Sequence, residues 1–119
     1  MGARMTFALI LALTGMVNAA DEGLTSLFDG RSLNGWSVMN GGRFGVEDGA
    51  IRVDGGRGWL RSEREYGDFT LRFQVRWMKP DQDGGVFVRA SLDGDDWPNR
   101  RYEIRAENND RIGRILGAE

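Results

Sequence analysis

Carboxylates and guanidinium groups are the side chains of this sequence that could do chemistry, because the chain contains neither His nor Cys. The absence of His excludes a Ser-His-Asp triad and a His-based zinc site within the chain. The absence of Cys excludes a thiol nucleophile and a disulfide framework. A catalyst built from this sequence must use acids, Arg, Tyr, the Lys79 amine or a metal bound through oxygen. The sequence predicts no metal site and identifies no cofactor.

Charged residues alternate with apolar ones in three segments of the chain. Their conspicuous members are Arg72, Arg76, Arg89, Arg101, Glu103, Arg105 and Glu107. If these segments are strands that neighbour one another in a curved sheet, their polar faces merge into one surface of guanidinium forks and carboxylates. Such a surface suits hydroxyl-rich ligands, and Trp97 in a nearby loop would supply an aromatic platform. The pattern alone favours the simpler interpretation, a solvated sheet face that binds nothing.

The elements that must position these residues are short β-strands separated by tight turns. The chain has 18 Gly, and many follow Asp or Asn, as in Asp48-Gly49, which is the chemistry of turns. Strict alternation makes residues 68–77 the clearest strand, with Phe69 to Trp77 at every second position on the core face. Further strands are predicted at 43–47, 50–54, 58–62, 85–91, 101–107 and 112–116.

These strands predict an all-β fold, either an antiparallel β-sandwich or a barrel. The Asp48-Gly49 turn should join the strands at 43–47 and 50–54 into a hairpin. Trp36 and Trp59 lie beside turns and are predicted to be buried aromatic residues. No repeat and no second domain is evident.

The first twenty residues have the features of an export signal. Arg4 provides a positive charge, residues 7–13 form a short apolar run, and small residues at 17–20 fit a cleavage site. The apolar run is too short to span a bilayer. We therefore expect a signal-peptide helix at 1–20, one domain at 21–119, and a periplasmic or secreted product that is not held at a membrane after cleavage.

The charge of the chain argues against nucleic acid as a partner. The formal net charge is −2, and the loss of Arg4 with the signal makes the mature chain more negative. An acidic protein lacks the positive surface that non-specific nucleic-acid binding requires.

Six segments in order resemble the 3-keto-disaccharide hydrolase domain family. They are Leu27–Trp36, Phe44–Ile51, Gly58–Leu60, Tyr66–Leu71, Gly84–Arg89 and Tyr102–Ile104. Together they are distributed over residues 27–104, most of the length of the chain after the signal. The resemblance implies a concanavalin A-like jelly roll with a sugar site on its concave sheet.

The resemblance also implies a reaction, the hydrolysis of 3-keto-glycosides by elimination and hydration. By position in the motifs, Glu103 is the expected acid/base and Arg89 the expected contact for an oxyanion or hydroxyl. Substrate contacts are expected from Arg72, Arg76, Trp97, Arg105 and Asn108.

Two features depart from the family pattern. Arg105 and Asn108 stand where the family often has Gln and Asp, which removes a carboxylate. The chain also ends near the middle of the usual domain, so we expect a C-terminally truncated jelly roll with open sheet edges that favour self-association. The alternatives to an enzyme are a lectin-like module that binds a glycan without turnover and an inactive fragment.

Overall fold

The computed structural model describes residues 7–10, 23–80 and 82–118, with the backbone alone for 7–10 and 118. The described residues contain nine strands. They are β1 (Phe7–Ile10), β2 (Trp36–Met39), β3 (Gly42–Glu47), β4 (Ala50–Gly56), β5 (Trp59–Ser62), β6 (Gln74–Trp77), β7 (Gly85–Val88), β8 (Arg101–Arg105) and β9 (Ile115–Ala118). No helix in this part of the chain is long and apolar enough to cross a bilayer.

All strand pairs are antiparallel, and the strands form three sheets. One sheet has the order β3-β4-β1-β6, a second pairs β2 with β5, and a third has the order β7-β8-β9. Both β2 and β5 also contact β3. The predicted fold class, an all-β antiparallel sandwich of the jelly-roll kind, is confirmed.

The predicted hairpin at Asp48-Gly49 is present and has two turn residues. Glu47 pairs directly with Ala50 across the turn, and φ is +52° at Asp48 and +73° at Gly49. Positive φ at both central residues is what a type I′ turn requires, and its twist matches that of the flanking strands.

The core lies mainly under β4 and β5. Its buried apolar side chains are Phe28, Ala50, Ile51, Val53, Trp59 and Ala106. The burial of Trp59 confirms its prediction. Trp36 is half-buried, and its indole Nε1 donates a hydrogen bond to the Leu27 carbonyl at 2.7 Å.

The strand predicted at 68–77 is shorter in the structure, where β6 covers only Gln74–Trp77. β6 is paired over those four residues with β1, and no partner strand lies beside residues 68–73 in the described structure. Phe69 is accordingly 47% exposed. The alternation survives at the end of the segment, since Val75 and Trp77 are half-buried while Gln74 and Arg76 are exposed.

The three polar segments do not all meet the condition for one merged surface, since two of them pair in one sheet and the third lies in another. Arg76 is on β6, in the four-stranded sheet, whereas Glu103 is on β8, in the separate β7-β8-β9 sheet. A hydrogen bond links the two sheets. The Nε1–H of Trp77 on β6 donates to the carbonyl of Ala106, the residue after β8, at 2.8 Å. Because Arg76 and Trp77 are adjacent in β6, their side chains point to opposite faces of the strand, and Arg76 points away from the face of Trp77.

The signal-peptide prediction falls on residues 1–20, of which the structure describes only Phe7–Ile10. These four residues form β1, between β4 and β6. The other residues of the predicted helix and the cleavage site lie outside the described residues, so the signal peptide stays a prediction.

Candidate functional site

Glu103 lies in the middle of β8, and a missing side chain on β7 makes room for it. Glu103 pairs with Phe87, and Arg105 pairs with Gly85. A Cβ at Gly85 would lie 2.6 Å from Glu103 Oε1 and 2.8 Å from its Cγ. The Glu103 side chain therefore lies against the bare backbone of β7, in space that only Gly leaves open.

This position encloses the Glu103 carboxylate. Its side chain is 17% exposed, and burial raises the pKa of its carboxyl above the ordinary value. The positive charges of Arg105 and Arg101 oppose this rise, whereas the negative charges of Asp83 and Glu107 add to it. A carboxyl with a raised pKa keeps its proton at higher pH than an ordinary one does, which suits a group that both accepts and donates a proton.

Glu103 belongs to a cluster of three carboxylates around one guanidinium, formed by Asp83, Glu103, Arg105 and Glu107. Arg105 Nη1 donates to Asp83 Oδ1 at 2.9 Å. The same nitrogen lies 2.9 Å from Glu107 Oε1, as an ion pair without hydrogen-bond geometry. Glu103 Oε1 is farther away, at 3.8 Å.

Glu107 is the buried structural member of this cluster. Its side chain is 1% exposed, and its Oε2 lies 2.7 Å from Arg111 Nε. Asn109 Nδ2 donates to the same oxygen at 2.9 Å, and this hydrogen bond is the main reason that the pKa of Glu107 is lowered. Glu107 is therefore held as an anion.

An aromatic pair and a guanidinium lie on the same face of the sheet as Glu103. The Arg101 guanidinium lies 5.3 Å from the Trp97 ring centroid and 5.6 Å from that of Phe87, which are cation–π distances. Arg101 Nη1 donates to the Pro98 carbonyl at 3.0 Å, while its buried Nε has no hydrogen-bond partner in the described structure. Trp97 is 53% exposed, so its ring has accessible surface for a ligand.

Two polar contacts fasten the loop that carries Trp97. Asn40 Nδ2 donates to the Asp95 carbonyl at 2.9 Å and also to the Gly94 carbonyl. Arg57 Nε lies 2.6 Å from Asp96 Oδ1. Asn40 follows β2 and Arg57 follows β4. Both contacts therefore hold the Trp97 loop against the part of the molecule that contains these strands.

Arg89, the expected oxyanion contact, is directed elsewhere. It ends β7 with φ at +52°, and its Nη2 lies 3.4 Å from Asp68 Oδ1. The guanidinium also lies 5.7 Å from the Phe69 ring centroid. None of these contacts involves Glu103, so the structure does not bring the expected catalytic pair together.

The expected substrate contacts separate into two groups. Trp97 and Arg105 lie in the β7-β8-β9 half with Glu103. Arg76 lies on β6, in the four-stranded sheet, and Arg72 lies in the segment just before β6. Asn108 follows β8 with an exposed side chain, and its backbone N–H donates to the Gln82 carbonyl at 3.1 Å.

Sequence reasoning did not select Asp83, Gly85 or Arg101 as site residues. The alternation in β8 placed Arg101 on the face of Glu103, so this residue could have been found from the pattern. Asp83 and Gly85 are near Glu103 only because β7 pairs with β8, which no local pattern reveals. Among the described residues, no group of three metal-ligating side chains could hold a metal ion.

Comparison with known families shows the domain class of this chain. Residues 23–118 match the family described as the 3-keto-alpha-glucoside-1,2-lyase-like domain. The chain belongs to this family, which gives it a carbohydrate-related function in general terms and agrees with the resemblance in the motifs. No curated protein and no solved structure matched the chain.

Proposed function

We propose that this chain cleaves 3-keto-glycosides by elimination followed by hydration, with Glu103 as the acid/base. The observation that carries the proposal is the Glu103 carboxyl, which is enclosed beside Gly85 and has a pKa raised by burial. It lies on the same face as an exposed aromatic ring and an arginine. Family membership supports the substrate class.

The chemistry follows from the ketone. A carbonyl at C3 makes the hydrogen on C2 acidic, so the Glu103 carboxylate can accept that proton while the electron pair forms an enolate. Collapse of the enolate forms the C1–C2 double bond and breaks the C1–O bond, and protonated Glu103 returns a proton to the leaving oxygen. Addition of water across the new double bond restores the keto sugar. The net reaction is hydrolysis.

Arg101 is the side chain best suited to stabilise the enolate oxygen. Its charge is felt by Glu103, and its buried Nε carries an N–H that is unpaired in the described structure. A donor that is already oriented stabilises developing negative charge most effectively. This proposal gives Arg101 the role that the sequence motif suggested for Arg89.

Trp97 would bind the sugar ring, since apolar faces of sugars stack on aromatic side chains. The fastening of its loop by Asn40 and by the Arg57–Asp96 ion pair supports this role, because a platform must hold its orientation. The signal-like segment at 1–20 supports a periplasmic or secreted location for the activity.

The test is turnover of a chemically prepared 3-keto-disaccharide, followed by release of reducing sugar and by exchange of the C2 hydrogen in D2O. Glu103→Gln should lower kcat by about 10²–10⁴-fold, the usual contribution of a general acid/base. Glu65→Gln, at an exposed position, is the matched control and should leave kcat unchanged.

Stability separates a catalytic role of Glu103 from a structural one. Because its pKa is raised in the folded state, ionised Glu103 opposes folding above that pKa, so Glu103→Gln should not lower the thermal midpoint at pH 7. Equal turnover by the wild type and Glu103→Gln would remove Glu103 from the mechanism. Saturable binding of the sugar with no turnover by the wild type would favour the lectin-like function.

A further inference from the structure

The distances around Arg105 are unequal in a way that matters for Glu103. Two carboxylates, Asp83 and Glu107, each lie 2.9 Å from Arg105 Nη1. Glu103 Oε1 lies 3.8 Å from the same atom, beyond hydrogen-bond distance. The arginine nearest to Glu103 is therefore engaged by two other acids.

Both competing carboxylates are fixed in place. Asp83 is in the short loop before β7, where the Ala106 N–H donates to the Gly84 carbonyl at 2.8 Å. Gln82 Oε1 accepts hydrogen bonds from the Met78 and Lys79 N–H groups at 2.6 and 2.9 Å, which holds the other end of this loop. Glu107 is buried and bound by Arg111 and Asn109.

We infer that Arg105 is a positioning residue for Glu103, because Asp83 and Glu107 together hold its guanidinium back from the Glu103 carboxylate and leave that carboxylate free to exchange protons. This inference rests on the proposed function and replaces the expected role of Arg105 as a substrate contact. Arg105 Nη1 lies 3.8 Å from Glu103 Oε1, so a released guanidinium would need to move by only about 1 Å to form a direct pair.

Such a pair would hold Glu103 as a permanent anion. An opposite charge at hydrogen-bond distance lowers the pKa of a carboxyl by about 1–3 units. The charged groups that face Glu103 are Arg101 and Arg105 on its own strand, Asp83 on the loop before β7, and Glu107 after β8. Among them, Asp83 is the half-exposed anchor of Arg105, so its substitution perturbs the fold least.

The experiment measures the titration of Glu103 directly, by the carboxyl ¹³C shift of the full chain without substrate. Asp83→Asn should lower the Glu103 midpoint by about one unit, because a repelling charge is lost and Arg105 keeps only one of its two competing carboxylates, Glu107. Asp83→Ser is a second variant with the same expected shift. Asp110→Asn, which removes an exposed acid from the neighbouring turn, should leave the midpoint unchanged.

A second set of variants, in which Arg105 is absent, separates the effect that Asp83→Asn has through Arg105 from the effect of losing the Asp83 charge. Arg105→Gln and Glu107→Gln together replace both members of the buried pair, so neither is left as an unpaired charge. In this background, Asp83→Asn should shift the Glu103 midpoint by less than half of its effect in the wild type. An equal shift in both backgrounds, or no shift in the wild type, would overturn the inference.

The titration and the turnover assay fail independently. If the wild type shows no turnover but Asp83→Asn shifts the Glu103 midpoint as expected, the positioning holds and the proposed reaction is wrong. If turnover is present, the acid limb of the kcat profile of Asp83→Asn should shift to lower pH together with the Glu103 midpoint. An unmoved acid limb would mean that Arg105 does not act through Glu103 in catalysis.

Discussion

At the scale of single residues, two acids of this protein have pKa values shifted in opposite directions, one in the candidate site and one in a surface turn. Glu103 is enclosed without a close ion pair, and burial raises its pKa. Asp29 shows the reverse case at the surface. Its carboxylate accepts hydrogen bonds from the Arg31 and Ser32 N–H groups at 2.7 Å and from Ser32 Oγ at 2.6 Å.

These hydrogen bonds make the contribution of Asp29 depend on pH. They lower its pKa to about 2 from the model-compound value of 3.8, with the Ser32 hydroxyl as the largest cause. A lowered folded-state pKa means that the stabilisation is complete above 3.8 and is lost as the pH falls through about 2. Asp29→Asn should therefore have a lower thermal midpoint than the wild type at pH 7 and should converge with it below pH 2.

Thermal unfolding between pH 7 and pH 2 tests this expectation. Asp110→Asn serves as the control and should follow the wild-type curve throughout. A constant difference between Asp29→Asn and the wild type at every pH would show that the ionised form of Asp29 is not what stabilises the turn.

Gly85 shapes the site because it has no side chain, and a Cβ at this position would overlap the Glu103 carboxylate. Its φ is not in the left-handed region, so space rather than backbone conformation is what a larger residue would disturb. Gly85→Ala would displace the Glu103 carboxylate and shift the strand pairing near the Ile104 carbonyl, 2.9 Å from the new Cβ. We expect kcat to fall by about 100-fold with little change in KM, since a displacement of 1 Å can have that effect.

The control for Gly85→Ala is Gly67→Ala, where a Cβ meets no atom within 4 Å. This change should leave kcat and the thermal midpoint unchanged. Full activity of a folded Gly85→Ala variant would contradict the role given to the space at Gly85.

At the scale of elements, the β3–β4 hairpin is the unit that the chain specifies most locally. Its type I′ turn needs positive φ at Gly49, where φ is +73°, and a Cβ there is disfavoured by about 1–2 kcal/mol. Gly49→Ala should therefore destabilise the protein by about 1 kcal/mol in urea unfolding. Because Asn tolerates this region, Asp48→Asn should change stability by less than about 0.5 kcal/mol.

The turn substitutions also test the link between this hairpin and the core. Ile51 and Val53 of β4 are buried, so loosening the turn should act on the whole fold rather than on a separate hairpin. If Gly49→Ala leaves the free energy of unfolding in urea unchanged, the hairpin does not hold position 49 in the positive-φ conformation.

The predicted long strand shows how an element depends on its neighbours. Residues 68–73 have the correct alternation, but β6 begins only at Gln74, where β1 provides hydrogen-bond partners. Alternation specifies which face of a strand is apolar, whereas a strand also needs a neighbouring backbone. A different cause ends β7 at Val88, because Arg89 takes positive φ and so leaves the extended conformation of a strand.

At the scale of the whole molecule, the two faces of the β7-β8-β9 sheet are exposed to different extents. The side chains of Glu103 and Arg105 on the polar face are 17% and 23% exposed, while Tyr102 and Ile115 on the opposite face are 51% and 69% exposed. We propose that this apolar face and the outer edge of β9, which has no partner strand in the described structure, favour association between copies of the chain.

The N-terminal strand leads to a prediction about the complete chain. β1 pairs with both β4 and β6, so removal of residues 1–20 would leave both strands with an open edge. We expect the chain that begins at Asp21 to have a lower thermal midpoint and to elute as larger species at equal concentration. Leu9→Pro in the full chain should reproduce the lower midpoint, because Pro removes a hydrogen bond from the centre of a sheet.

Mass spectrometry of the exported protein would show which form is present. A mature N-terminus near Asp21 supports the signal peptide, while an intact N-terminus contradicts it. Identical stability and elution of the long and short chains would show that β1 does not stabilise the folded domain.

The sequence by itself determined the local features of this protein. The all-β class, the hairpin at Asp48-Gly49, the burial of Trp59 and the family membership all follow from period-two alternation, turn residues and ordered motifs. These features are local because side-chain alternation and positive φ are properties of a few adjacent residues. The choice of Glu103 also came from its motif.

Only the tertiary structure decided which of these residues meet. Glu103 faces Gly85 of β7 rather than Arg89, and Arg76 lies in a different sheet, because strand pairing joins residues that are distant in the chain. Enclosure of the Glu103 carboxyl depends on the same pairing. Strand alternation specifies a face, but the neighbour across that face is set by non-local packing of the backbone.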